Sequence, residues 1–125
     1  MLVKELMKQH PEYCNLETRV PDLLYIFKKY NFKEVVIVDS DHHPIGMVNK
    51  EAVSDKVLHD IPHPFDVKAK SLMSNIMATV KKETSAKECF EIMQRNHLNV
   101  IPVTSEQGEC IGVVEKEDIT DEMLQ

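Results

Sequence analysis

The side chains able to do chemistry in this chain are scattered, and their spacing excludes most kinds of it. Six histidines, His10, His42, His43, His59, His63 and His97, are the obvious candidates for metal ligands. His42 and His43 are adjacent in a polar stretch that reads as a turn. His59 and His63 are four apart, but Ile61-Pro62 denies them a shared helix face. Two imidazoles with Asp41 or Asp60 fall short of the four ligands zinc prefers, so the histidines read as solvated loop residues and no metal is expected. Cys14, Cys89 and Cys110 are odd in number and lack metal-type spacing; they read as free thiols buried as small hydrophobes in a reducing compartment. No nucleophile, base and orienting group stand together, and three glycines are too few for a phosphate-cradling loop. The chain is therefore expected not to be an enzyme. Its densest charged run, Glu115-Lys116-Glu117-Asp118, reads mostly as a wet face.

The elements that must position these residues belong to a soluble globular chain. It has 125 residues, 42% hydrophobic and 29% charged, enough for one compact domain or two small repeats sharing a core. A net charge of -6 gives no basic face to neutralise phosphates, which argues against a nucleic-acid partner. No apolar run approaches the ~20 residues of a membrane-spanning helix. The start, Met1-Leu2-Val3-Lys4-Glu5, lacks the pattern of a secretory signal. A cytoplasmic protein without a membrane partner is expected.

The strongest pattern is an internal repeat. Residues 3–58 align without a gap on residues 69–124, 66 positions further on. Lys4, Leu6 and Met7 fall on Lys70, Leu72 and Met73; Glu17-Thr18 on Glu83-Thr84; Ile26 on Ile92. Ile45-Gly46 falls on Ile111-Gly112, Val48 on Val114, Lys50-Glu51 on Lys116-Glu117, Asp55 on Asp121 and Leu58 on Leu124. The stretch His59-Asp60-Ile61-Pro62-His63-Pro64-Phe65 reads as a linker, because its prolines remove backbone donors and bias the residues before them away from helix. The organisation expected is repeat one over 1–58, a linker over 59–68 and repeat two over 69–125, integrated in one module.

Each copy opens with a short helical piece, over Val3–Lys8 and Ala69–Asn75, then a short extended segment at Tyr13-Cys14 and Thr79-Val80. A helix start follows. Thr18 and Thr84 are candidate caps, with Ser85 and Glu88 as an alternative capping box, and Pro21 falls in the first turn. Helical spacing gives apolar stripes at Val20, Leu23, Leu24, Phe27 and Tyr30, and at Ala86, Cys89, Phe90 and Met93. Two runs rich in β-branched residues come next in each copy, Val35–Val38 with Ile45–Val48 and Val100–Val103 with Ile111–Val114, joined by polar turns and read as hairpins. A last helix is expected over Lys50–Leu58 and Lys116–Leu124. The fold class is α/β (α+β), with two β-α-β-β-α repeats. One repeat buries too little apolar surface to stand alone, so the two are expected to pack sheet on sheet with pseudo-twofold symmetry.

In these features the chain resembles the CBS-domain family in its tandem form, the Bateman module. The likeness lies in the duplicated Leu6-Met7 and Leu72-Met73, the strands Val35-Val36-Ile37-Val38 and Ile101-Pro102-Val103-Thr104, and the glycine strand leading into a helix, similar to the family's Gly-h-h-Thr-x-x-Asp (h apolar). The resemblance implies a non-catalytic sensor that needs no cofactor. It implies clefts between the repeats for an adenosine nucleotide or S-adenosylmethionine, a homodimer, and a regulated protein partner. A module of ligand-free interaction or dimerisation is the alternative.

Carried over residue by residue, the family's ribose-binding aspartate matches Asp118. Two hydroxyls presented to one carboxylate make a strong contact for its size. The first copy has Ala52 there, so the two clefts are expected to be unequal. The family's phosphate-holding threonine is Glu115 in the second copy and Asn49 in the first. A carboxylate facing a phosphate costs on the order of 1 kcal/mol in water and ~4 at an effective dielectric of 20. Unless a metal or lysine intervenes, Glu115 is expected to favour an unphosphorylated or cationic ligand, or to mark a vestigial cleft. The wall of the better cleft matches Thr79, Val80, Ile101, Pro102 and Val114, with Asn99 at a position often basic in the family; taken singly, each of the apolar ones also reads as strand packing. The weaker cleft matches Tyr13, Cys14, Lys33, Val35, Val36 and Asn49, with Lys33 placed to reach a phosphate or simply to be solvated.

Overall fold

The computed structural model describes residues 1–9, 14–59 and 64–125; Tyr13, His10, Asp60 and His63 lie outside the described residues. In chain order the elements are α1 (Val3–Leu6), α2 (Val20–Tyr30), β1 (Glu34–Val38), β2 (Pro44–Asn49), α3 (Lys50–His59), β3 (Ser74–Asn75), β4 (Val80–Lys81), α4 (Ala86–Arg95), β5 (Val100–Thr104) and β6 (Cys110–Glu115). Single 3-10 turns occur at Pro64–Asp66, Ala69–Ser71, Lys116–Asp118 and Asp121–Leu124. One sheet has the order β1-β2-β3 and the other β4-β5-β6.

The chain forms two compact units, Met1–Pro11 with Met77–Gln125, and Glu12–Ile76. These are not the two sequence copies: the opening segment of each copy completes the unit built by the other. In the first unit Val3 N–H donates to Thr84 C=O (2.8 Å), Lys4 N–H to Lys82 C=O (2.9 Å) and Ala86 N–H to Met1 C=O (2.8 Å). In the second, Ala69 N–H donates to Thr18 C=O (2.7 Å), Lys70 N–H to Leu16 C=O (3.0 Å) and Val20 N–H to Val67 C=O (3.1 Å). Each bond of one set has its counterpart 66 positions away in the other.

The hairpins fall where the β-branched runs placed them. β1 pairs antiparallel with β2, and β5 with β6, each with an irregularity near the turn. β3 adds to the free edge of β2. In the second sheet β4 runs parallel to β5, meeting it only at Val103 and Thr104. Pro102, which has no N–H to give, sits just before that stretch, where no bond to β4 is required.

Helix α2 buries Val20, Leu23, Ile26 and Phe27, so Ile26 joins the expected stripe while Leu24 and Tyr30 lie at its margin. Ala86, Cys89 and Met93 do the same for α4. Ser85 caps α4 by accepting from Glu88 N–H at 3.1 Å. The two threonines are not caps. Thr18 Oγ1 accepts from Asn15 N–H (3.0 Å) and Thr84 Oγ1 from Lys81 N–H (3.1 Å), so each closes the turn before its helix.

The opening segments differ from expectation. Only Val3–Leu6 and Ala69–Ser71 are helical, and the chain then extends, because Lys8 and Ser74 pair with the second strand of each hairpin, at Val113 and Met47. The closing helix also exists in one copy only. α3 is a full α-helix, whereas the second copy has two 3-10 turns. Asn49 explains α3: its Oδ1 accepts from Glu51 N–H (2.8 Å) and Ala52 N–H (3.4 Å), satisfying donors that a helix start leaves open. Its counterpart Glu115 makes no such cap, because its carboxylate is engaged elsewhere.

Candidate functional site

Asp118 stands on the 3-10 turn that follows β6, with its side chain 37% exposed. Glu115 ends β6 with its side chain only 4% exposed. A carboxylate buried to that degree needs a partner, since an uncompensated buried charge is strongly unfavourable. Lys8 supplies it from the opening segment of the chain. Its Nζ lies 3.1 Å from Glu115 Oε2 and 3.1 Å from Asp118 Oδ2. The backbone of Lys8 is fixed on β6: Lys8 N–H donates to Val113 C=O (2.8 Å) and Val113 N–H to Lys8 C=O (2.9 Å). Burial alone would lower the pKa of Lys8; hydrogen bonds to Asp118 and Glu115 outweigh it, and the pKa is raised above the ordinary lysine value. The ammonium therefore stays charged at neutral pH.

This arrangement answers the condition the sequence left open. A lysine does intervene at Glu115, and it arrives 107 residues away in the chain. Nothing local to Glu115 pointed to it; the available signal was that a glutamate at a buried strand end demands a cation.

The remaining expected site residues divide into two groups. Val80, Ile101 and Val114 pack into one core cluster with Val3, Cys89 and Met93, so their side chains are committed to packing. Ile101 and Val114 face each other across the β5–β6 pair. Pro102 points to the other face and is also buried, while Thr79 and Asn99 are exposed. Asn99 C=O accepts from Lys116 N–H at 2.8 Å, which fixes the start of the turn carrying Asp118. The polar part of the site is thus Lys8, Glu115 and Asp118, with Thr79 and Asn99 at the surface.

In the other unit the corresponding positions are uncharged: Ser74 for Lys8, Asn49 for Glu115, Ala52 for Asp118. Ser74 Oγ donates to Met47 C=O at 3.4 Å, and Asn49 Nδ2 donates to Glu34 Oε1 at 3.4 Å. Burial raises the pKa of Glu34, and the Asn49 bond opposes that rise. Cys14 and Val35 lie in the core, Val36 is buried on the opposite face of β1, and Lys33 is exposed. Tyr13 lies outside the described residues. An open cavity of about 730 Å³ in this unit is lined by Cys14, Leu16, Glu17, Val38, Asp39 and His42 among others. It sits at the opposite end of β1 from Asn49, and its acidic groups are already occupied. Glu17 pairs with Lys68 and Lys70, and Asp39 accepts from the amides of Asp41 and His43.

All three cysteines are buried thiols outside any disulfide, and burial pushes the Cys89 thiol up to about 11, which makes it a poor nucleophile. Among the described residues, the group with the composition of a metal site is Glu115, Glu117 and Asp118, whose ligand atoms lie within 4.8 Å of one another, and Lys8 already serves two of them. No helix among the described residues is long and apolar enough to cross a membrane.

A family model described as CBS domain matches residues 3–59 and again residues 69–125. An uncharacterised protein of Methanopyrus kandleri is 28% identical over 103 residues, which is 82% of this chain and 52% of that protein. The chain thus spans about half the length of that curated relative. Among solved structures, the CBS domain pair of protein MJ0100, in complex with 5′-methylthioadenosine and S-adenosyl-L-methionine, superposes with a TM-score of 0.76 at 16% identity, covering 94% of this chain and 91% of that one. CBSX2 in complex with AMP gives a TM-score of 0.78 at 16% identity, covering 94% and 92%. At such identities the likeness is one of fold.

Proposed function

The chain belongs to the CBS-domain family as a tandem pair, and on that premise we propose that it is a non-catalytic regulatory module that binds an adenosine-type ligand at Asp118. The observation that carries the reading is the half-exposed Asp118 carboxylate at the end of the run Gly112–Asp118, the position of the family's ribose-binding aspartate. A carboxylate held on a short turn can accept from both hydroxyls of a ribose. Support also comes from two CBS structures of the same fold that hold adenosyl ligands. On this reading binding alters the module and so controls an attached or associated protein, in the cytoplasm and as a homodimer.

A thermal-shift screen with adenosine, AMP, ATP and S-adenosylmethionine tests it. A ligand that binds only the folded form raises the melting temperature by mass action, and the rise should vanish in Asp118→Ala. A folded protein that shifts with none of the four refutes the reading.

A second reading, an interaction or dimerisation module without a small ligand, is favoured by one specific observation. Lys8 already occupies Asp118 Oδ2, and Ala52 leaves the other unit no carboxylate at that position. Native mass spectrometry separates the two: this reading requires a dimer whose mass and stability are indifferent to nucleosides.

A further inference from the structure

A ligand group that reaches Asp118 does not meet that carboxylate alone. Asp118, Glu115 and Lys8 form one cluster of two carboxylates and one ammonium, net charge -1, with the Glu117 carboxylate within 4.8 Å of the other two. Glu115 is walled in at the end of β6, with its side chain 4% exposed. Lys8 is held by its paired backbone bonds to Val113. The neighbouring cation, Lys116, sends its ammonium over the Phe90 ring, 5.6 Å from the centroid, and not into the cluster. The charge a ligand meets is therefore fixed by the fold.

The same three positions in the other unit are Ser74, Asn49 and Ala52. All three are charged in one unit and all three uncharged in the other. Lysine and glutamate occur together, as electrostatic compensation requires: a buried glutamate without Lys8 would be unpaired, and Lys8 without Glu115 would lose half its carboxylate partners.

We infer that the Lys8–Glu115 pair sets the ligand class of the Asp118 site, admitting a nucleoside whose 5′ substituent is uncharged or cationic, such as a thioether or a sulfonium, in preference to a nucleoside phosphate. The inference rests on the reading of Asp118 as a ribose-binding residue. Lys8 cancels the charge of Glu115 but has spent two of its three N–H donors on carboxylates, so a phosphate meets a shared cation and an excess negative charge. A sulfonium meets the opposite sign. A thioether meets neither attraction nor repulsion.

Titration calorimetry of the full chain at fixed salt, with 5′-methylthioadenosine, S-adenosylmethionine and AMP, tests the assignment. AMP is expected to bind at least about tenfold more weakly than 5′-methylthioadenosine, as one excess charge at contact range implies. Glu115→Thr and Glu115→Gln should each close most of that gap by strengthening AMP, and the glutamine variant separates charge from side-chain length. Folding of both is checked by thermal melts. If AMP matches 5′-methylthioadenosine in the native chain, or if both folded variants leave their ratio unchanged, the inference is overturned while the ribose-binding reading stands. If none of the three ligands binds the folded chain, both are overturned.

Discussion

Gly112 lies so close to the backbone of Lys8 that a methyl group on its Cα would sit 2.7 Å from the Lys8 carbonyl oxygen. Met7 Sδ is next, at 3.3 Å. At Gly46, the counterpart, the nearest atom is Met73 Sδ at 2.6 Å, with Ser74 C=O at 3.0 Å. Both glycines are therefore clearance for the exchanged opening segments, and the duplicated Leu-Met lies against the duplicated Ile-Gly. The obstacles differ in kind. A thioether end can swing aside, whereas a carbonyl in a paired strand cannot. Gly112→Ala is expected to cost about 2 kcal/mol or more and Gly46→Ala about 1. Urea denaturation of both variants gives the order, and an equal or reversed order would refute this account.

Asn49 holds the start of α3 through Glu51 N–H and Ala52 N–H. Asn49→Ala should cost about 1 kcal/mol, the usual worth of such a cap, and Asn49→Asp or Asn49→Ser should restore most of it. Thermal melts followed by far-UV circular dichroism read the change. A silent alanine variant would mean that α3 is held by packing alone.

What was legible in the sequence was mostly local. The hairpins followed from β-branched runs, the α4 cap from Ser85 and Glu88, and the repeat from its register. The failure of the second closing helix was readable too, since Glu115 is a poor N-cap where the first copy has Asn49. The exchange of opening segments was not. Two copies with similar openings are equally able to pair with either body by pattern, and only three-dimensional contacts such as Lys8 with Val113 decide it. The Lys8–Glu115 pair was hidden for the same reason. Alignment at 66 positions also carried an unread backbone signal: His42 (φ 67) stands where the other copy has Gly108 (φ 84), and His97 (φ 56) where it has Asn31 (φ 54). These histidines hold left-handed turn positions that suit glycine or asparagine.

Glu34 sits opposite Asn49 at the end of the β1–β2 pair, and burial raises its pKa. The folded form thus holds this proton more tightly than the unfolded chain. The stabilising contribution is complete below the ordinary glutamate range, near 4.3, and is lost as pH rises through the higher folded value. Glu34→Gln removes the penalty of ionising in place. The variant should be more stable than the native chain at pH 7, with the difference vanishing near pH 4. Urea midpoints at the two pH values check it, and a gain of the same size at both would show that ionisation is not its source.

Lys8 carries a dependence of the same sign at much higher pH. The raised pKa of Lys8 means that its contribution is fully present below the ordinary lysine value and fades as pH climbs beyond it. Lys8→Met keeps the stem and removes the charge, leaving Glu115 buried without its cation. Because Lys8 is itself 44% exposed, the cost at pH 7 is discounted to about 1–2 kcal/mol from the larger values of fully buried pairs. Strong base should shrink the deficit as the native Lys8 loses its proton and with it the pairing to Glu115 and Asp118. The difference in stability between native and variant chains, plotted from pH 7 upward, is expected to stay level and then fall once pH passes the ordinary lysine value. A flat profile would mean that the stem of Lys8 supports the first unit by packing and that its ammonium contributes nothing.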